Sequence, residues 1–103
     1  MKNFSNDAYY QLFSVLASRI RLAIIDILMD GPKSLSECSL ALEQNEDAML
    51  KNIEQLVHCA LVNVKRSENE RIYSLNREIF EPLSELLEFH VSKYCPEKNK
   101  CIS

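Results

Sequence analysis

Four cysteines, two histidines and a few clustered basic side chains are the residues of this 103-residue chain best suited to chemistry. Cys38 and Cys59 stand among apolar neighbours, where a free cysteine behaves as a small hydrophobe. Cys95 and Cys101 fall instead in a polar tail with Lys93, Lys98 and Lys100 nearby, charges that favour thiolate. Their Cys-x5-Cys spacing could close as a disulfide or hold a thiophilic metal or metalloid ion; the plainer reading is two unpaired tail thiols. His90 sits on an apolar stripe, where an interface histidine is a simpler reading than a metal ligand, and His58 reads as surface. Lys51 and Asn52 could reach phosphate oxygens and base edges, with Leu50 able to meet a thymine methyl. Asn45 and Asp47 open the same segment. Lys65, Arg66 and Arg71 flank a polar Ser-Glu-Asn-Glu tip and suit phosphate contact, which positions a protein without reading sequence. Glu46, Asp47, Glu54 and Gln55 would on the bland reading be only a solvated helix face.

The chain holds no nucleophile motif and no His-Glu metal-hydrolase motif. Its single glycine leaves no loop able to cradle phosphates, so no enzymatic activity is expected. The net charge of −3 is evenly spread: residues 1–44, 45–75 and 76–103 each carry four basic and five acidic side chains. A surface that displaces counterions from a nucleic acid must therefore be local. A hydrophobic fraction of 47% is ample for one core, and one Gly with three Pro favours a mainly helical chain. No apolar run is long enough to span a membrane. The polar start, Met-Lys-Asn-Phe-Ser-Asn-Asp, lacks the apolar centre of a signal peptide, so a cytoplasmic location with reduced thiols is expected.

The elements that must position these residues follow from periodicity and capping. Asp7 is the expected cap of a first helix, with Tyr9, Leu12, Phe13 and Leu16 at helical spacing. Ser18 caps a second, whose stripe is Ile20, Ile24, Ile27 and Leu28, flanked by Leu22 and Ile25. Asp30-Gly31-Pro32 stops it. Ser34 and Glu37 make a capping box for a third helix with Leu35, Leu40 and Leu42 as its apolar contacts. Asn45 caps a fourth, whose buried face is Met49, Ile53, Leu56 and Val57; Glu46 and Asp47 in its first turn suit the helix dipole. Leu61–Lys65 and Arg71–Leu75 read as strands around a tip at Ser67–Glu70. A long last helix starts near Glu78 or Pro82, with Pro82 expected in the first turn, and runs to Tyr94. Ile79, Leu83, Leu86, Leu87, His90 and Tyr94 recur on it at helical spacing.

Helix, turn, helix and then a two-stranded hairpin is the order of a winged helix-turn-helix domain, mainly α with a small β-hairpin. The chain resembles the ArsR/SmtB family of small dimeric winged-helix repressors over about residues 12–92. The matching phrases are LFSVLASRIRLAIIDILMDGPKSLSE, ALEQNEDAMLKNIEQLVHCALV and VKRSENERIYSLN. Arg21 falls on the family's Arg at the start of the second helix, and Arg71, Tyr73 and Leu75 match its Arg-x-Tyr-x-Leu wing. Where the family often has Ser or Thr and then Arg-His on the recognition helix, this chain has Leu50, Lys51 and Asn52. The family's thiolate site on the third helix would need cysteines where Ser34 and Ser36 stand. Its zinc site on the last helix would need Asp-x-His where Arg77 and Ile79 stand; only His90 matches. Some arsenic sensors of this type place ligand cysteines at the end of the last helix, as Cys95 and Cys101 do.

The expectation is a winged-helix DNA-binding and dimerisation domain over residues 1–94 and a polar, Cys-containing tail over 95–103. The dimer would form through the first and last helices, at Tyr9, Leu12, Phe13, Leu16, Leu83, Leu86, Leu87 and His90. Their stripes exceed what a lone small domain can cover. The partners implied are double-stranded DNA and a second copy of the chain, with no membrane; the one cofactor class suggested is a thiophilic metal or metalloid ion. The function expected is operator binding by a regulator, with a possible response to a thiol-reactive signal at Cys95 and Cys101. The rival is a winged helix used for protein contact alone.

Overall fold

Capping chemistry sets most element boundaries in the computed structural model, which describes residues 5–95. Helix α1 spans Asp7–Leu16, and its cap is Asn6 rather than Asp7: Asn6 Oδ1 accepts from the amides of Ala8 (3.0 Å) and Tyr9 (3.2 Å). Asp7 instead lies in the first turn, where its charge complements the dipole. Helix α2, Arg19–Leu28, starts at Ser18 as expected, whose Oγ accepts from the Arg21 amide. It buries Ile24, Ile25 and Leu28, while Leu22 remains exposed. Gly31, at φ +134°, makes the turn out of it.

A two-residue strand β1, Lys33–Ser34, has no counterpart in the sequence pattern. It pairs with a partner nearly forty residues on, which no local pattern announces. Helix α3, Leu35–Ala41, carries the expected capping box: Ser34 Oγ accepts from the Glu37 amide (3.1 Å), and Glu37 Oε1 accepts from the Ser34 amide (2.9 Å). Its core residues are Cys38 and Ser39, not Leu40, which is 81% exposed. With only seven residues, α3 shows the core a narrow stripe, and Leu40 lies off it.

Helix α4, Glu46–His58, begins at Asn45, whose Oδ1 accepts from the Ala48 amide at 2.7 Å. It buries Met49, Ile53 and Leu56 completely. Both α3 and α4 end in the same way. The Gln44 amide donates to Ser39 O and the Glu43 amide to Leu40 O; the Leu61 amide donates to Leu56 O and the Ala60 amide to Val57 O. These are the paired bonds of a Schellman closure, which needs one left-handed residue, usually Gly. Here Glu43 (φ 53°) and Ala60 (φ 62°) hold that conformation with a Cβ in place.

Strands β2 (Val62–Arg66) and β3 (Arg71–Leu75) form the wing, with sheet order β1-β3-β2, all antiparallel. The register sets Val62 opposite Leu75, Val64 opposite Tyr73 and Arg66 opposite Arg71. Tyr73, at the centre of the sheet, is fully buried beneath it.

Helix α5, Arg77–Tyr94, differs from all the others: none of its residues is buried. Pro82 is the sixth residue of this helix, beyond the first turn where it was expected. Without an N–H it leaves the Glu78 carbonyl without its intrahelical partner. The helix starts earlier because Asn76 anchors the entry: its amide N–H donates to Leu61 O (2.9 Å) and its side-chain Nδ2 to Ala60 O (2.8 Å). The radius of gyration is 15.0 Å, against about 13 Å for a compact chain of this length.

Candidate nucleic-acid interface and dimer face

The exposed side of α4 carries Asp47, Lys51 and Gln55, all open to solvent. The expected reading residues do not all stand equally free. Asn45 is exposed, but its side-chain oxygen already serves as the helix cap. Leu50 is half-buried and packs against the core, as a protein contact would. Lys51 is fully available. Asn52 is half-buried and engaged at both ends: Nδ2 donates to Ala48 O (3.0 Å), and Oδ1 accepts from Arg21 Nε (3.2 Å). Arg21 Nη1 also donates to Val15 O, at 3.3 Å. Apart from its match to the family's arginine, nothing in the sequence marked Arg21 as part of this surface, because its partner is 31 residues away.

The wing brings the basic residues together. Lys65 and Arg66 are exposed and Arg71 is half-buried. Arg66 and Arg71 face each other directly across the strands next to the tip. Like charges in that position repel unless an anion stands between or beside them. Tip closure depends on Ser67, whose amide (2.9 Å) and hydroxyl (3.1 Å) both donate to Glu70 O. Behind Arg71, the Tyr73 hydroxyl is buried without a hydrogen-bond partner. Burial pushes its pKa up, and Glu54 adds to that; Arg71 and Arg66 oppose it by charge, Arg71 lying close but without the geometry of a hydrogen bond.

The second face lies on α1 and α5. Phe13 is 58% exposed, Leu86 65% and Leu87 52%. Tyr9, Leu12, Leu16 and Leu83 are half-buried, and the last three already pack against the core. Phe80 joins Leu83 in holding α5 to the body. His90 is exposed, its ring 5.3 Å from that of Tyr94, and the Lys93 ammonium lies over the rings of both Phe89 and Tyr94.

The cysteines divide differently from the sequence expectation. Cys38 is fully buried, and desolvation raises its thiol pKa, against a smaller lowering by Lys33. Cys59 is half-buried in a groove beside Tyr10, Arg21, Glu54 and His58. Cys95, expected in an exposed polar tail, is 95% buried: it caps α5, its amide donating to Val91 O. Its polar neighbours in sequence do not reveal that burial. Cys101 lies outside the described residues. Among the described residues no three His, Cys, Asp or Glu side chains are grouped to hold a metal ion. No helix among them is long and apolar enough to cross a membrane.

No protein-family model matches the chain, and no curated protein sequence does. Solved structures do. One is the homodimeric winged helix-turn-helix DNA-binding domain of a possible ArsR-family transcriptional regulator from Mycobacterium bovis. It is 21% identical, with 93% of this chain and 89% of that one covered, at a TM-score of 0.75. HlyU from Vibrio cholerae is 25% identical over 92% of this chain and 99% of its own, at a TM-score of 0.68. An ArsR family transcriptional regulator, RHA00566, is 18% identical over 95% and 100%, at 0.69. The fold is a winged helix-turn-helix, and its solved neighbours include regulators of the ArsR family, in line with the resemblance read from the sequence.

Proposed function

We propose that the chain is a homodimeric transcriptional regulator that binds operator DNA through α4 and the wing. One observation carries the reading: two arginines, Arg66 and Arg71, are held opposite each other at the wing, on the same body as an exposed Lys51 on α4. Glu46, Glu68 and Glu70 line the same groove as these arginines and offset part of that repulsion, and a phosphate backbone supplies a further anion. Lys51 supplies the contact available for a base edge or phosphate; Lys65, Arg66 and Arg71 supply positioning contacts. Asp47 and Asn45 border the surface and, with Glu46, limit its affinity.

The dimer places α1 and α5 of two copies together. An 18-residue helix with no buried residue but with Ile79, Leu86, Leu87 and Tyr94 more than two-fifths exposed requires a cover. Two-fold pairing presents two copies of α4 to adjacent major-groove segments of a pseudo-palindromic site.

The test is salt-dependent binding to duplexes enriched from a randomised pool. Affinity should fall steeply with salt, and Arg66→Ala should flatten the slope by about one. Failure of the wild type to enrich any duplex would favour the rival, a protein-contact module. The exposed Leu40 and the acidic first turn of α4 support that rival.

Sensing through Cys95 and Cys101 stays within the proposal in altered form. Because Cys95 is buried, an oxidant or thiophilic ion reaches it only through a local opening that exposes the thiol. Alkylation with mass mapping should label Cys59 before Cys38 and Cys95. Equal rates at Cys59 and Cys95 would contradict this placement of Cys95.

A further inference from the structure

The Arg21 side chain hydrogen-bonds both the end of α1 and the middle of α4. Its Nη1 donates to Val15 O in the last turn of α1, and its Nε to Asn52 Oδ1. Val15 O is one of the carbonyls a helix leaves without an intrahelical partner. The last turn of α1 has no basic residue of its own. Arg21 thus brings both a donor and a positive charge to the negative end of the α1 dipole. Its own backbone is fixed, since its amide donates to the Ser18 cap. On the other side, Asn52 uses Oδ1 on Arg21 and one Nδ2 hydrogen on Ala48 O, one turn earlier in its own helix. A bidentate reading of adenine needs both ends of that amide. Here each end already holds one partner, and Asn52 is half-buried, so the amide is oriented on Arg21 and on its own helix.

We propose that Arg21 and Asn52 are a positioning pair that fixes the recognition helix α4 to the end of α1, and that Asn52 is not a base reader. The guanidinium fork is the functional element. It spans two acceptors on two helices, which a single ammonium cannot reproduce. Because α1 also carries the exposed Phe13 of the dimer face, the pair ties the angle of α4 to that face. This inference rests on the DNA-binding reading, and its test separates the two.

Duplexes are first enriched by the wild-type chain from a randomised pool. Binding is then measured for wild type, Arg21→Ala, Arg21→Lys, Asn52→Ala and the Arg21→Ala/Asn52→Ala double variant. The targets are the enriched duplex, each of its single base-pair variants, and the unselected pool. Each single alanine variant should weaken binding to the enriched duplex by about tenfold, the size that members of one hydrogen-bonded network carry. The double variant should be no worse than either single one. The ranking of base-pair variants and the salt slope should stay as in wild type, and Arg21→Lys should not restore affinity. Relaxed preference at a single base pair in Asn52→Ala alone would overturn the assignment and make Asn52 a reader. A salt slope lower by about one in Arg21→Ala, restored by Lys, would overturn it and make Arg21 a phosphate contact. Thermal melting by circular dichroism accompanies each variant; if Arg21→Ala does not fold, Arg21→Lys and Asn52→Ala decide the matter. A wild-type chain that enriches nothing removes the DNA-binding reading and this assignment together. Enrichment with either overturning pattern removes the assignment alone.

Discussion

The body from α2 to β3 and the helix α5 are made of similar residues and end in opposite states. In the body, Ile24, Met49, Ile53, Leu56, Leu61 and Tyr73 are wholly removed from water. In α5, Leu86, Leu87, Phe89 and Tyr94 are each more than half exposed. Both segments show helical periodicity, yet among the described residues the outer face of α5 finds no cover. Apolar periodicity states that a face will be buried; it does not state in which molecule. The body is therefore the unit expected to fold on its own contacts, and α5 the unit whose stability depends on concentration.

The sharpest way to break that contrast is to truncate one leucine in each region. Leu56→Ala removes a fully buried side chain and should cost roughly 2–5 kcal/mol in chemical denaturation. Leu86→Ala should leave the stability of a dilute, monomeric sample almost unchanged, because its side chain is 65% exposed there. Similar losses at both sites would show that α5 belongs to the same core.

A charge placed on α5 sharpens the comparison from the other side. Leu87→Asp would put an unpaired carboxylate into the proposed dimer face, a burial that costs several kcal/mol. Sedimentation should show a monomer with helical content retained. A variant that still sediments as the wild type does would move the interface elsewhere.

Smaller effects test the body alone. Ala60 holds a left-handed conformation that favours Gly, so Ala60→Gly should raise stability by about 1 kcal/mol. Tyr73→Phe removes a buried hydroxyl that has no partner and should be neutral or stabilising, by up to about 1 kcal/mol. A clear loss from either change, seen in thermal melting, would mean that the backbone closure after α4 or the packing under the wing is misread.

The smallest expected effect is acidic. The hydrogen bond from the Ser34 amide is the main influence that holds the Glu37 carboxyl below its usual value of 4.5; the Ser34 hydroxyl and Lys33 lower it further and desolvation opposes. A carboxylate with a lowered folded pKa contributes stability that is present above its unfolded value and lost as pH falls through the folded one. Glu37→Gln should flatten the acid side of the stability profile below about pH 4.5 and leave neutral pH little changed. An unchanged acid limb would remove the capping box from the account of α3.

What the sequence made legible was local. Ser34 with Glu37, Asn45, Ser18 and the Asp30-Gly31-Pro32 stop act within a few residues of themselves, and each stands where its pattern put it. The wing also reads from its β-branched and aromatic residues, although β2 runs Val62–Arg66, one residue later than expected. The features that escaped join distant segments. Strand β1 is two residues long and exists only because Ile72 and Tyr73 lie beside it. Asn52 looks like a free reading residue until Arg21 is brought to it. Leu40 reads as an apolar contact of α3 from its hydrophobicity, although the narrow buried stripe of that helix passes through Cys38 and Ser39. Cys95 reads as exposed because its neighbours in sequence are polar, yet its side chain is buried.

The central claim is that two copies, joined through α1 and α5, present two recognition helices to one duplex. Sedimentation of the chain with a pool-enriched duplex long enough for two half-sites about one helical turn apart tests it most directly. The account predicts a single complex of two chains per duplex, with no one-chain species at concentrations where the free protein is dimeric. A complex of one chain per duplex, or no complex at low salt, would contradict it.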